Sequence, residues 1–129
     1  GKPRPYVYLY RYLRVKPLVA WTPWRKIADE ADWYVDHCMR IPVCFELAIG
    51  SMLDRQEPEV HYVGAAKTEA RELEHLAGGD HPLRAKVDPR LHEGHALYYR
   101  ATGAPTFERA QALCAERLSA GLPPWNEQA

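Results

Sequence analysis

Residues 6–15, "YVYLYRYLRV", alternate strictly, with Val7, Leu9, Leu13 and Val15 on one face and the tyrosines on the other. A period of two predicts a strand. Beyond Pro17 and Pro23 the spacing turns helical. Ile27, Ala31, Tyr34, Val35 and Cys38 share one side of a helix predicted over 24–39, with Thr22 as N-cap and Pro23 at its first position. "IPVCFELAI" (41–49) reads as a second strand, and "VHYVGAA" (60–66) as a third, antiparallel to it across the long loop "GSMLDRQEPE". "KTEARELEHLAGG" predicts a helix capped by Thr68, with Ala70, Leu73 and Ala77 inward and Gly78-Gly79 as its stop. Residues 80–94, with Pro82, Pro89 and scattered charge, read as loop. "HALYYRA" is a short strand, and "TFERAQALCAERLSAG" is a last helix from Thr106 to Gly121. The order β-α-β-β-α-β-α predicts an α+β fold. Its core is a small, mainly antiparallel, three-stranded sheet flanked by helices, with an extra strand and helix at the N-terminus.

Composition narrows the class without naming a function. At 129 residues the chain is long enough to bury a core as one domain, and 47% apolar and 26% charged residues are ordinary for a globular protein. Its 11 prolines favour short elements and stiff connections. No apolar run approaches the ~20 residues of a membrane helix, and no secretory leader pattern is visible. The chain starts at Gly1 rather than Met, as a piece trimmed from a longer protein would. Three cysteines, Cys38, Cys44 and Cys114, form no CxxC pair; the odd count fits free thiols in a reducing, cytoplasmic compartment.

Net charge is zero but unevenly spread. Residues 1–26 hold seven basic side chains (Lys2, Arg4, Arg11, Arg14, Lys16, Arg25 and Lys26) and no acidic one, so the remainder carries the compensating −7. Basic residues interleaved with Tyr6, Tyr8, Tyr10, Tyr12, Trp21 and Trp24 suit phosphate contact and base stacking. They equally suit an amphipathic strand with a solvated tyrosine face. Trp21, Trp24 and Trp33 read better as packing anchors for the first helix than as a stacking platform.

The most informative stretch is "PEVHYVGAAKTEARELEH", residues 58–75. Tyr62-Val63-Gly64 ends a strand, and Arg71 and His75 stand one turn apart on the next helix. A bland alternative makes Tyr62 a core aromatic and the Arg71/His75 pair a solvated face beside Glu72 and Glu74. Near the C-terminus, Pro123 and Asn126 form Pro-x-x-Asn. Together with the element order over residues 41–129, these motifs resemble the GIY-YIG nuclease family. The resemblance implies a nuclease-like domain at 41–129, with residues 1–40 packed on it as a basic, aromatic-rich strand and helix. It further implies hydrolysis of DNA phosphodiesters with Mg²⁺ or Mn²⁺. Tyr62 and a tyrosine from the first strand would flank the attacking water. Arg71 would clamp the scissile phosphate with its planar fork. His75 would transfer a proton or hold the phosphate, Gly64 would let backbone approach closely, and Asn126 would orient neighbouring groups. Lys67, Arg11 and Arg14 are the further substrate contacts expected.

The chain departs from the family pattern at two positions. By position the first-motif tyrosine is Phe45, in "VCF"; by residue match it is Tyr8, which is then the candidate for the missing hydroxyl. The family's metal-binding glutamate falls on Cys114, a poor ligand for Mg²⁺, which prefers hard oxygens. Glu108 and Glu116 are the nearest carboxylates. Glu116, the metal ligand expected, lies about 200° round the helix from Cys114. Cys114 also fits an inner stripe with Phe107, Ala110 and Leu118. His81, His92 and His95 with Glu93 match no standard ligand spacing and read as surface histidines. The expectation is therefore a metal-dependent endonuclease. The alternatives are a nuclease fold that has lost cleavage and binds nucleic acid, or a protein-interaction domain whose basic arm meets acidic surface on another copy.

Overall fold

A computed structural model describes residues 20–27, 40–51 and 57–127. Seven elements lie within them: β1 (Arg25–Lys26), β2 (Val43–Ser51), β3 (Glu59–Ala66), α1 (Glu69–Gly78), α2 (Arg84–His92), β4 (His95–Gly103) and α3 (Phe107–Ser119). The strands form one open antiparallel sheet in the order β1-β4-β2-β3. The fold is α+β, as the pattern predicts, with four strands in the sheet rather than three.

β2 lies at the centre of the β4-β2-β3 set, and its side chains alternate between two helical layers. Val43, Phe45, Leu47 and Ile49 cluster with Leu73 and Leu76 of α1 and with Leu83 and Val87 at α2. Cys44, on the other face, clusters with Val63 and with Ala110 and Leu113 of α3. Both faces of β2 are therefore covered, which explains a run of seven buried residues, Val43 to Ile49. Leu73 and Leu76 are fully buried, each stabilising the fold by about 1.5–3 kcal/mol.

The helix expected over 24–39 does not begin where the pattern places it. Arg25 and Lys26 pair with Tyr99 and Tyr98 of β4 instead. Thr22, expected as a helix cap, extends that pairing: its N–H donates to the Ala101 carbonyl at 2.8 Å, and its Oγ1 accepts from the Ala101 N–H at 3.0 Å. The edge of β4 offers these residues more hydrogen bonds than a helix start would. Residues 7–15 and 28–39 lie outside the described set.

A second correction concerns residues 80–94. They contain α2, despite Pro89 within it. Val87 is fully buried and Leu83 nearly so, and an Arg84–Asp88 ion pair of 2.8 Å spans one turn. Burial of these two apolar residues overrides a weak local signal. The other two helices match expectation closely. Thr106 caps α3, accepting from the Arg109 N–H at 3.1 Å. Thr68 occupies the N-cap of α1 without a side-chain capping bond, and left-handed Gly79 ends that helix. The inner stripe of α1 runs through Leu76, with Ala77 only partly buried.

On the α3 face a buried charge anchors the layers. Glu46 is fully buried, and its two oxygens accept from Arg100 at 2.6 Å and Arg117 at 2.7 Å. Arg100 also lies against the rings of Trp21 and Trp24, at 5.1 and 4.4 Å. These two tryptophans thus pack on a β4 arginine; residues 28–39 of the helix they were expected to anchor lie outside the described residues. Among the described residues, no helix is long and apolar enough to cross a membrane.

Candidate functional site

Tyr62 is presented by an irregular edge strand. Leu47 pairs with Tyr62 but Ala48 pairs with Val60, so His61 is an extra residue and β3 bulges beside Tyr62. The bulge puts Val60 and Val63 on the α3 side while Tyr62 faces Phe45 across a ring separation of 5.9 Å. The C-terminal segment holds this irregularity in place. Trp125 donates its N–H to the His61 carbonyl at 2.8 Å, and its ring lies 5.0 Å from the His61 imidazole. Asn126 brackets Val63, accepting from its N–H at 2.8 Å and donating to its carbonyl at 2.9 Å. Asn126 therefore fixes the backbone just after Tyr62, and Trp125 the carbonyl just before it.

Gly64 supports the same tyrosine by absence of a side chain. A Cβ there would lie 2.7 Å from Tyr62 Cε2 and 3.0 Å from Phe45 Cζ. Its backbone is not left-handed, so the need for glycine is one of space between two rings. That differs from the expected close approach of backbone to substrate.

Two adjoining cavities share Ala65, Glu72 and His75, making one groove along α1. The first, about 440 Å³, is bordered by Lys67, Thr68, Arg71 and Phe107, with the Lys67 ammonium 5.5 Å from the Phe107 ring centre. The second, about 480 Å³, is bordered by Phe45, Tyr62, Asp80, His81 and Leu83. The groove is electrically graded. Lys67 and Arg71 lie at one end, Asp80 and His81 at the other, and Glu72 and His75 between them.

Both histidines are held by carboxylates. His81 Nδ1 accepts the Leu83 N–H at 3.1 Å, so Nε2 carries the proton and donates to Glu72 Oε1 at 2.6 Å. Its side chain is only 8% exposed, so His81 is not the surface histidine expected. His75 Nδ1 lies 3.0 Å from Asp80 Oδ2. The helix stop produces that second pair: Gly79, at φ 87°, turns the chain so that the Asp80 N–H returns to the His75 carbonyl at 3.2 Å. The hydrogen bond from His75 holds the Asp80 carboxyl below its usual range. Burial, together with the nearby Cys114 and Glu72 charges, raises Tyr62 above the usual phenol value of 10.0. Tyr62 is consequently a neutral phenol at physiological pH, able to donate and accept hydrogen bonds.

Of the expected site residues, the groove gathers Tyr62, Lys67, Arg71 and His75, with Gly64 and Asn126 behind Tyr62. Glu116 lies elsewhere: it is exposed and borders a cavity of about 250 Å³ with Trp21, Leu113 and Arg117. Cys114 is packed in the α3 cluster with Cys44. Phe107 borders the groove instead of joining a buried stripe. Tyr8, Arg11 and Arg14 lie outside the described residues. Glu72, Asp80 and His81 are the groove residues that the sequence pattern does not mark. The one local signal for them is Asp80 immediately after a Gly-Gly helix stop and five residues past His75. Among the described residues, no three His, Cys, Asp or Glu side chains are grouped to hold a metal.

Comparison with family models, with curated proteins and with solved structures finds no match to this chain.

Proposed function

We propose that the chain is a GIY-YIG-like endonuclease domain that hydrolyses nucleic-acid phosphodiesters, with DNA as substrate. The observation that carries this reading is the gathering of Tyr62, Arg71 and His75, with Lys67, around two adjoining cavities that share Ala65, Glu72 and His75. The phosphate lies at the Lys67–Arg71 end, where two cations meet the first turn of α1 and the positive end of its dipole. Arg71 offers a planar fork to two phosphoryl oxygens and follows their charge as it grows during attack. Water is activated toward the other end. His75, fixed through Nδ1 by Asp80, uses Nε2 to move a proton, and Tyr62 orients the water as a neutral phenol.

The divalent cation implied by the resemblance has a fitting carboxylate in Glu72, which borders both halves of the groove. Mg²⁺ is commonly held by one or two carboxylates together with substrate phosphate and water, so one well-placed glutamate suffices. Bound there, it would neutralise charge on the phosphoryl oxygens. His81 keeps the Glu72 carboxylate in a single orientation.

A second reading, a non-catalytic nucleic-acid-binding module, is favoured by one observation. The position the family gives to its metal-binding glutamate is Cys114, packed against the α3 cluster rather than in the groove.

Plasmid cleavage with Mg²⁺ or Mn²⁺ separates the two. Wild type is expected to cut, and Arg71→Ala and Glu72→Gln to lose about 10²–10³ in rate, the scale for removing one stabiliser of transition-state charge. Glu116→Gln is expected to cut normally. Binding without cutting, with Arg71→Ala weakening the binding, would support the module instead.

A further inference from the structure

Phe107 is an aromatic ring that the core leaves out. Thr106 caps α3, so Phe107 stands at the first helical position, ahead of the buried Ala110 and Leu113. Among the described residues its ring joins neither of the two apolar clusters, and it is half-buried. What it borders instead is the cavity of about 440 Å³, together with Lys67, Thr68 and Arg71. Lys67, exposed where β3 passes into α1, holds its ammonium 5.5 Å from the ring centre. Arg71 is exposed on the first turn of α1, and Thr68 makes no side-chain capping bond there. A flat apolar face thus shares one cavity with two cations, a hydroxyl and the positive end of a helix. Glu72, the acidic residue of the lining, also borders the second cavity.

A nucleotide offers the complementary chemistries side by side. Its phosphate suits the cations, and its base has a π-face that stacks on an aromatic ring whatever the sequence. A base inside a duplex has both faces taken by its neighbours, so only an unstacked one can lie on a ring within a cavity. We propose that this half of the groove holds one unpaired nucleotide, its base stacked on Phe107 and its phosphate between Lys67 and Arg71. The inference rests on the nucleic-acid reading of the groove and deepens it, because the strand entering there is single. Lys67 leaves its loose contact with the ring to meet the phosphate, which frees the ring face for the base. Phe107 then grips the strand without reading its sequence, since every base has such a face.

The test measures binding of the full chain to labelled single-stranded oligo-dT and to an abasic oligonucleotide of the same length, with EDTA present so that no strand is cut. The two probes carry the same phosphates and differ only in the bases. Wild type is expected to favour oligo-dT by about 5- to 150-fold, the range for one stacked base. Phe107→Leu, which keeps apolar bulk without a ring, should lose that preference and bind the abasic strand as wild type does. Phe107→Tyr should keep it, and Arg71→Ala should weaken both strands alike. Equal binding of the two probes by wild type overturns the inference, as does a preference that survives in Phe107→Leu. Either result, with Arg71→Ala still weakening binding, leaves the nuclease reading standing. Wild type that binds neither strand overturns both. Because the two probes are compared within each protein, lost fold, which weakens both, is told apart from lost stacking, which weakens one.

Discussion

At Gly64 the tightness of the candidate site is measurable in a single atom. A Cβ placed 2.7 Å from the Tyr62 ring and 3.0 Å from Phe45 has to displace one of them. Gly64→Ala is expected to destabilise the fold by about 1–3 kcal/mol, as overpacking does, and to turn Tyr62 away from the groove. Thermal unfolding reads the first effect and tyrosine fluorescence the second; an unchanged midpoint would contradict the packing described. Tyr62 itself makes a pH prediction. Its folded pKa is raised above 10.0, so the stability tied to its protonated form is present below that value. It is lost as pH rises through the raised folded value. An ultraviolet titration of phenolate should therefore show one tyrosine ionising late, and Tyr62→Phe should remove that phase.

Among the elements, β3 carries the most unusual construction. It is an edge strand with a one-residue bulge, and the C-terminal segment completes its hydrogen bonding through Trp125 and Asn126. Asn126→Ala is expected to cost about 1–3 kcal/mol, because the buried Val63 N–H and carbonyl lose their partners together. Amide exchange at Val63 should quicken while that at β2 holds. The same element shows where pattern reading works. Alternation in "VHYVGAA" places a strand correctly, but the bulge at His61 is set by the distant Trp125–Asn126 segment, which no local spacing encodes. α2 is the converse case. Its prolines and weak periodicity read as loop, and two buried apolar residues packed on the sheet make it a helix.

For the whole molecule, the proposed nucleic-acid contact turns on charge distribution. Residues 1–26 are +7 and the rest −7, while Lys67 and Arg71 provide a local basic end within the acidic remainder. Nucleic-acid binding should therefore weaken steeply with salt. Arg71→Ala should reduce the slope of log affinity against log salt by about one, the signature of one lost phosphate contact. A slope unaffected by Arg71→Ala would place the phosphate elsewhere.

Pattern alone determined the α+β class, β2, β3, β4, α1 and α3, and the spacing of Tyr62, Arg71 and His75, because periodicity and caps are local properties of the chain. Tertiary structure decided the rest. It turned Arg25 and Lys26 into an edge strand, since β4 offered them hydrogen bonds. It left Glu116 exposed beside Trp21, because its position round α3 turns away from the groove. It brought Glu72, Asp80 and His81 around Tyr62, because a left-handed glycine and a buried imidazole fold the end of α1 back on itself. Contacts of that kind depend on how elements meet in space, and neighbouring residues in the chain carry no record of them.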